Sequence, residues 1–306
     1  AEAVERIEVD FEPLPFSLDP LESLRPNGPN ARSDGNTVVD GEVRTIKWTE
    51  ADFAEMDQGR LPMGEVPQGF SYGDLDAGFA EAEVVLDETV FHQSLSHQPL
   101  ETRTCMAYWQ NGKVYVHPSL QSTARAVGPV ARYAGVSPDD VVLINEYTGG
   151  AFGSRNTSYA QLPIPILLSK MTGKPVMMRV TRREENFFGR ARPGLQARAR
   201  IGFRRDGRVT ALDLFAVQDG GPYGASGDYL SAARIASLVY QPLAMRTRGI
   251  SIYTNTPPRG AQRAPGGVQG VTVISPMMDK AARQLGIDRA EILKVNAPEG
   301  QATYRE

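Results

Sequence analysis

The run Leu195–Phe203 constrains this chain more than any other stretch. Leu195, Ala197, Ala199, Ile201 and Phe203 fall on one parity, and Gln196, Arg198, Arg200 and, just beyond, Arg204 fall on the other. A period of two sends alternate side chains to opposite faces of a strand, so this run reads as a strand with one buried face. Asp206-Gly207 supplies a turn, and Arg208–Val217 returns as a second long strand.

The rest of the pattern mixes hairpins with helices. Thr102–Gln110 and Lys113–His117 flank Asn111-Gly112, a dipeptide that tolerates positive φ at both central positions of a tight hairpin. Ile7–Pro15, Glu83–Phe91, Val141–Asn145, Val176–Thr181 and Ile250–Thr254 read as strands. Leu75–Ala82 reads as a brief helical turn. Helices are expected over Thr123–Ala134, stopped by Gly135, and over Leu162–Met171, closed by Gly173, with Pro163 and Pro165 in its first turn. Val271–Leu285 has Met277, Met278, Ala281, Ala282 and Leu285 as its inner stripe, and Asp288–Val295 opens with Asp288 and Glu291 in capping-box spacing. Ser17–Val43, rich in Pro, Asn, Gly, Ser and Asp, reads as a surface connection, and Thr45–Gly73 as irregular. The order lacks strict strand–helix alternation, so the fold class is α+β.

Composition narrows the function classes. Among 306 residues 41% are hydrophobic and 23% charged, which is ordinary for a globular protein, and the net charge of −3 argues against nucleic-acid and polybasic membrane-surface binding. The arginines of Arg179–Arg205 alternate with apolar residues and are interrupted by Glu184 and Glu185, so a solvated sheet face or a subunit contact is favoured over a nucleic-acid groove. No apolar run approaches the ~20 residues of a membrane span. The single cysteine, Cys105, excludes an internal disulfide and an iron–sulfur cluster held by this chain alone. His92, His97 and Glu101 lack the spacing of a zincin helix and read better as polar residues at a strand edge than as a metal site.

Two glycine-rich segments are left to carry chemistry. Thr148-Gly149-Gly150-Ala151-Phe152-Gly153-Ser154-Arg155 follows a strand. Its glycines allow close backbone approach and free N–H groups, which suits an anionic or oxo ligand. It has neither the Rossmann spacing nor the Gly-Lys-Ser/Thr of a P-loop. Thr254–Gly270 runs from a strand into a helix and carries Arg259 and Arg263, and helix N-termini favour anions. By composition alone, either segment could be a plain structural turn.

Their order and context resemble the xanthine dehydrogenase/aldehyde oxidase family of molybdenum hydroxylases, as a partial chain of the molybdopterin-binding subunit. Leu120-Gln121-Ser122, Gly149-Gly150-Ala151-Phe152-Gly153 and Thr254–Gly270 follow the family's sequence order. So do the hairpin Thr102–His117, Lys174-Pro175-Val176, Thr181–Asn186, Met278-Asp279-Lys280-Ala281 and Leu285-Gly286-Ile287-Asp288. The resemblance implies that residues 75–306 form the first half of a molybdopterin-binding domain, that 19–74 are an extended linker, and that 1–18 end a preceding hammerhead domain. It implies that Gln121 hydrogen-bonds an oxygen ligand of the molybdenum, that Gly150, Ala151, Phe152 and Gly153 bring backbone N–H groups to the cofactor, and that Arg263 lies near metal and pterin. No direct metal ligand is implied, because the pterin holds the metal.

The implied reaction oxidises an aldehyde or N-heterocyclic carbon with oxygen from water. Electrons then pass to 2Fe-2S clusters and FAD or another acceptor on partner subunits. The implied cofactor is molybdopterin or its cytosine dinucleotide form. Partners are the other half of the molybdenum subunit, an iron–sulfur subunit or domain and a flavin subunit, in a cytoplasmic complex or one exported on a partner's signal. The family's general base, a glutamate in a Gly-x-Gly-Glu segment, is absent before Glu306, so no catalytic residue is expected in this chain and the base must come from downstream or from a partner. Asn156 stands where purine-oxidising members carry a glutamate, which argues against xanthine, and Pro265 where they carry a stacking aromatic, so both shape the expected substrate pocket. Ala264, in place of a cysteine, argues against carbon monoxide. The missing base motivates a different reading, a cofactor-free structural or binding subunit that keeps the fold.

Overall fold

The computed structural model describes residues 2–156, 161–224 and 227–299. Among these, the largest sheet has seven strands and is built around the expected hairpin. Leu195–Phe203 pairs antiparallel with Val209–Gly221 on one side and with Val84–His92 on the other. The apolar parity is buried as the alternation requires, with Ala197, Ala199 and Phe203 at 0% exposure. Gly207 makes the turn at φ 87°.

Val209–Gly221 then pairs in parallel with Ala244–Tyr253. Parallel neighbours need a crossover, and the helix Asp228–Tyr240 provides it. That helix was not expected from the sequence. Its apolar residues are mostly small alanines, and its inward face includes Asp228, so the amphipathic signal is weak. The helix Gly267–Leu285 packs beside it over the same sheet face, burying Val273, Ile274, Met277, Met278, Ala281 and Ala282. It begins four residues earlier than the sequence indicated. Asp288 caps the last helix, Arg289–Asn296, by accepting from Ala290 N at 2.7 Å.

The other face of the sheet is covered by residues expected as a linker. Residues 19–74 supply the strands Thr37–Val39, Glu42–Arg44 and Gln68–Tyr72, which join the sheet edge along Ala244–Tyr253. Leu21, Leu24, Trp48, Phe53 and Leu61 form a cluster with Phe215, Val217, Ile250 and Ile252. The strands are three to five residues long and the apolar residues irregularly spaced, so neither period was visible. The expected strand Ile7–Pro15 is also corrected. A short helix Glu2–Glu5 is followed by exposed, irregular chain. Its prolines cannot donate to a ladder, and no described strand lies beside it.

A second, smaller unit holds the Asn111-Gly112 hairpin. Among the described residues it has four strands, in the order Val141–Leu143, Lys113–Pro118, Thr104–Gln110 and Val176–Arg179. Tyr108 and Tyr115 face each other in register and stack at 4.9 Å. The helices Val127–Ala134 and Pro163–Thr172 close its core on Cys105, Ala107, Val114, Val116, Leu162 and Ile166. Burial pushes the Cys105 thiol up to about 12, so it stays protonated and inert. The Val141–Leu143 strand is half-buried. The helix Arg182–Phe188, capped by Thr181 and Glu184, was not anticipated.

Candidate functional site

The two glycine-rich segments cross where the two units meet. Arg263 N donates to Phe152 O at 2.8 Å. A Cβ on Gly153, at φ 106°, would lie 2.5 Å from Ala261 O, so only glycine permits this approach. The Arg263 guanidinium lies 5.9 Å from the centre of the Phe152 ring. Phe152 and Ala264 both adopt positive φ, 51° and 59°. For residues with side chains this is strained backbone, and such strain gathers at sites where the surroundings over-determine the chain.

Gln121 anchors the first segment. Its Oε1 accepts from Gly153 N at 2.9 Å and Arg155 N at 3.3 Å, and its own N–H donates to Arg155 O at 2.9 Å. Asn145 holds the residue before it, accepting from Leu120 N at 3.1 Å and donating to Leu120 O at 2.9 Å. The carbonyl end of the Gln121 side chain is thereby used, and its NH2 end is left without a protein partner among the described residues.

The residues that fix this geometry were missed by the sequence reading or misread. Arg155 is fully buried. It donates to the Glu101 carboxylate at 3.1 Å, to Ser119 Oγ and to the Glu101 carbonyl. Glu101 Oε2 also accepts from Gly149 N at 2.6 Å and from Ser119 Oγ at 2.7 Å. One carboxylate therefore pins both ends of the segment. Arg103 and Glu185 form a second ion pair, at 1% and 3% side-chain exposure, and Arg103 Nη2 reaches Ser154 O at 3.1 Å. Sequence offered no periodic signal for these contacts, since the partners lie tens of residues apart.

The second segment is held in the same manner. Asp219 accepts from Thr254, Thr256 and Arg259 side chains, the Arg259 Nε contact at 2.7 Å. Arg192, buried, donates to Arg263 O at 2.6 Å, Ala264 O at 3.1 Å, Gln262 Oε1 at 3.2 Å and Gln269 Oε1 at 3.2 Å. Burial lowers its pKa, but an arginine remains cationic. His97 places Nδ1 2.6 Å from Arg190 O and Nε2 2.9 Å from Ala261 O. Both its nitrogens are thus engaged by carbonyls. No group of three or more His, Cys, Asp or Glu side chains placed to hold a metal ion occurs among the described residues.

Burial holds the His97 pKa below 6.5, outweighing its two backbone contacts. A depressed histidine pKa means the unfolded chain binds the proton more readily. Its contribution to stability is present above about pH 6.5 and is lost as pH falls through the native value. The loss of unfolding free energy between pH about 7.5 and about 5 is therefore expected to be smaller in His97→Gln than in the wild type, measured by urea denaturation at both pH values.

The expected pocket residues are less closely joined. Asn156 Oδ1 accepts from Arg125 Nη1 at 3.1 Å. Pro265 is exposed just before Gly266, and no described contact links it to Asn156.

The donor set is chemically one-sided. Gln121 contributes NH2, Arg263 a guanidinium free of any ion pair to a described carboxylate, and Gly150, Ala151 and Phe152 backbone N–H groups that meet no acceptor among the described residues. Donors without acceptors suit an oxyanion- or oxo-rich group, so these residues fit a molybdenum-pterin.

The family described as "Molybdopterin cofactor-binding domain" matches residues 62–297. "Probable hypoxanthine oxidase XdhD" of Escherichia coli K12 is 29% identical over 211 residues, covering 66% of this chain and 21% of that protein. "Aldehyde oxidoreductase" of Megalodesulfovibrio gigas is 26% identical over 65% of this chain and 22% of its own length. This chain therefore spans about a fifth of these curated relatives. Among solved structures, aldehyde oxidoreductase from Desulfovibrio gigas superimposes with a TM-score of 0.78 at 22% identity, covering 98% of this chain and 30% of that one. CO dehydrogenase from Oligotropha carboxidovorans gives 0.80 at 22%, covering 98% and 37%. These likenesses show the α+β fold. With the crossing loops in the matched region, the chain belongs to the molybdopterin cofactor-binding domain family.

Proposed function

We propose that this chain forms part of the cofactor pocket of a molybdenum hydroxylase that oxidises an aldehyde or N-heterocyclic carbon. The observation that carries the reading is the crossing of the Gly149–Gly153 and Thr254–Gly270 loops beside a Gln121 whose NH2 end has no protein partner. When bound, a molybdenum-pterin supplies two-electron oxidation with oxygen drawn from water.

The chain's own groups orient and polarise. Gln121 would donate to an oxygen on the metal, its carbonyl end being locked to Gly153 and Arg155. The N–H groups of Gly150, Ala151 and Phe152 would line the pocket beside it, and Arg263 would place a fixed positive charge over Phe152. Asn156, a neutral amide, cannot polarise a purine as a carboxylate would, which favours aldehydes and simpler heterocycles. The general base, the iron–sulfur and flavin centres and the remaining pterin contacts would come from polypeptide beyond these residues. No helix among the described residues is long and apolar enough to cross a membrane.

In the assembled enzyme, Gln121→Ala and Arg263→Ala are each expected to lower bound molybdenum or turnover by about 10- to 100-fold, as loss of groups supporting a metal centre does. Elemental analysis and aldehyde oxidation are the readouts. Full metal content and unchanged activity in both variants would leave the cofactor-free subunit reading in its place.

A further inference from the structure

The polar face of the large sheet carries a charged groove beside the Trp48–Phe215 cluster, and its arginines take no part in the crossing loops. Four strands place Asp87, Arg200, Asp213 and Arg246 side by side in one row. Two residues along lie Thr89, Arg198, Phe215 and Arg248. The groove, about 350 Å³, is lined by these four arginines, the two aspartates, Phe215 and Met63.

The pairing inside it leaves positive charge over. Arg198 makes a two-pronged contact with Asp87 at 2.8 Å and a further one with Glu55 at 3.0 Å. Asp213 serves two guanidiniums, Arg246 at 2.6 Å and Arg248 at 3.2 Å. Arg200 forms no ion pair with a described carboxylate and lies 4.2 Å over the Phe79 ring. Arg248 Nε is buried without a hydrogen-bond partner. This surplus stands on a chain whose net charge is −3.

We propose that this groove is a docking surface for a carboxylate-rich segment of a partner polypeptide. Two rows over four strands extend about 14 Å by about 7 Å, wider than a single small anion fills. Guanidiniums match carboxylates through paired N–H groups, and the partly exposed Met63 offers an apolar contact for the methylenes of glutamate side chains. Asp87, Asp213 and Glu55 interleave with the arginines; a peptide can set neutral residues against these acids, whereas a phosphate backbone carries a charge at every nucleotide, which disfavours nucleic acid. The inference is independent of the cofactor reading, since none of these residues contacts the crossing loops.

The test is a fluorescence-anisotropy titration of the full chain with a labelled oligoglutamate peptide at low and at physiological salt. The wild type is expected to bind, more weakly as salt rises. Arg200→Gln/Arg246→Gln is expected to weaken binding about tenfold or more. Arg132→Gln/Arg283→Gln, at exposed arginines elsewhere, is expected to bind as the wild type does. The single variant Arg200→Gln breaks no ion pair. It is expected to weaken binding about threefold with an unchanged melting temperature, so the test survives if the double variant folds poorly. Any of four results overturns the proposal: no binding by the wild type, equal binding by Arg200→Gln, displacement of the peptide by equimolar inorganic phosphate, or tighter binding of an oligonucleotide than of the peptide.

Discussion

Arg103→Met is expected to destabilise the chain by about 3–5 kcal/mol, the cost of leaving one partner of a buried ion pair unpaired. Glu185 is 2% exposed, and its carboxylate accepts from the Arg103 side chain and, at 2.8 Å, from Arg103 N. Removing the guanidinium strands that carboxylate between the Thr104–Gln110 strand and the Arg182–Phe188 helix. The same change removes the contact to Ser154 O, so the first glycine-rich loop loosens as well. Lysine should not rescue it, because a point ammonium cannot span the Glu185 Oε1 and the Ser154 carbonyl as the two ends of a guanidinium do. The double variant Arg103→Met/Glu185→Leu is expected to regain much of the loss, since two apolar groups need no desolvated charge. Urea denaturation of the four members of that cycle measures the coupling. A loss below about 1 kcal/mol for Arg103→Met, the range of exposed pairs, would show that the pair is not functionally buried.

Gly153→Ala is the second large effect, and it separates the site from the fold. Alanine at φ 106° is strained, and its Cβ would lie 2.5 Å from Ala261 O, a backbone atom that cannot rotate away. The loops must part, breaking the Arg263 N to Phe152 O contact. Bound molybdenum in the assembled enzyme is expected to fall by about tenfold or more. Gly112→Ala is the matched control. Gly112 has φ 76° but nothing within 4 Å of its would-be Cβ, so only the local backbone cost of about 1 kcal/mol applies. Gly112→Ala should keep full metal content. Equal metal loss in the two variants would mean that positive φ, rather than loop contact, governs the effect.

Much of this protein was legible in its sequence. The alternation in Leu195–Phe203, the Asn111-Gly112 turn and the stripe Met277, Met278, Ala281 and Ala282 are local patterns, and each acts through the period of its own element. The two glycine-rich loops were legible because close backbone approach demands glycine at fixed positions, while Gln121 was expected only from the family resemblance. What tertiary structure alone decided is non-local. Residues 19–74 looked like a linker because strands of three to five residues show no period, yet they close one face of the sheet. Glu101 and Arg155, Arg103 and Glu185, and Arg192 with the second loop are separated by 54, 82 and about 70 positions. A buried charge is tolerated only beside its partner, and which charge meets which depends on how the strands register, not on spacing along the chain. The sequence by itself determined that two donor-rich loops would exist. The packing of the small unit against the large one decided that they would cross, because only there can Gly153 pass within contact of Ala261.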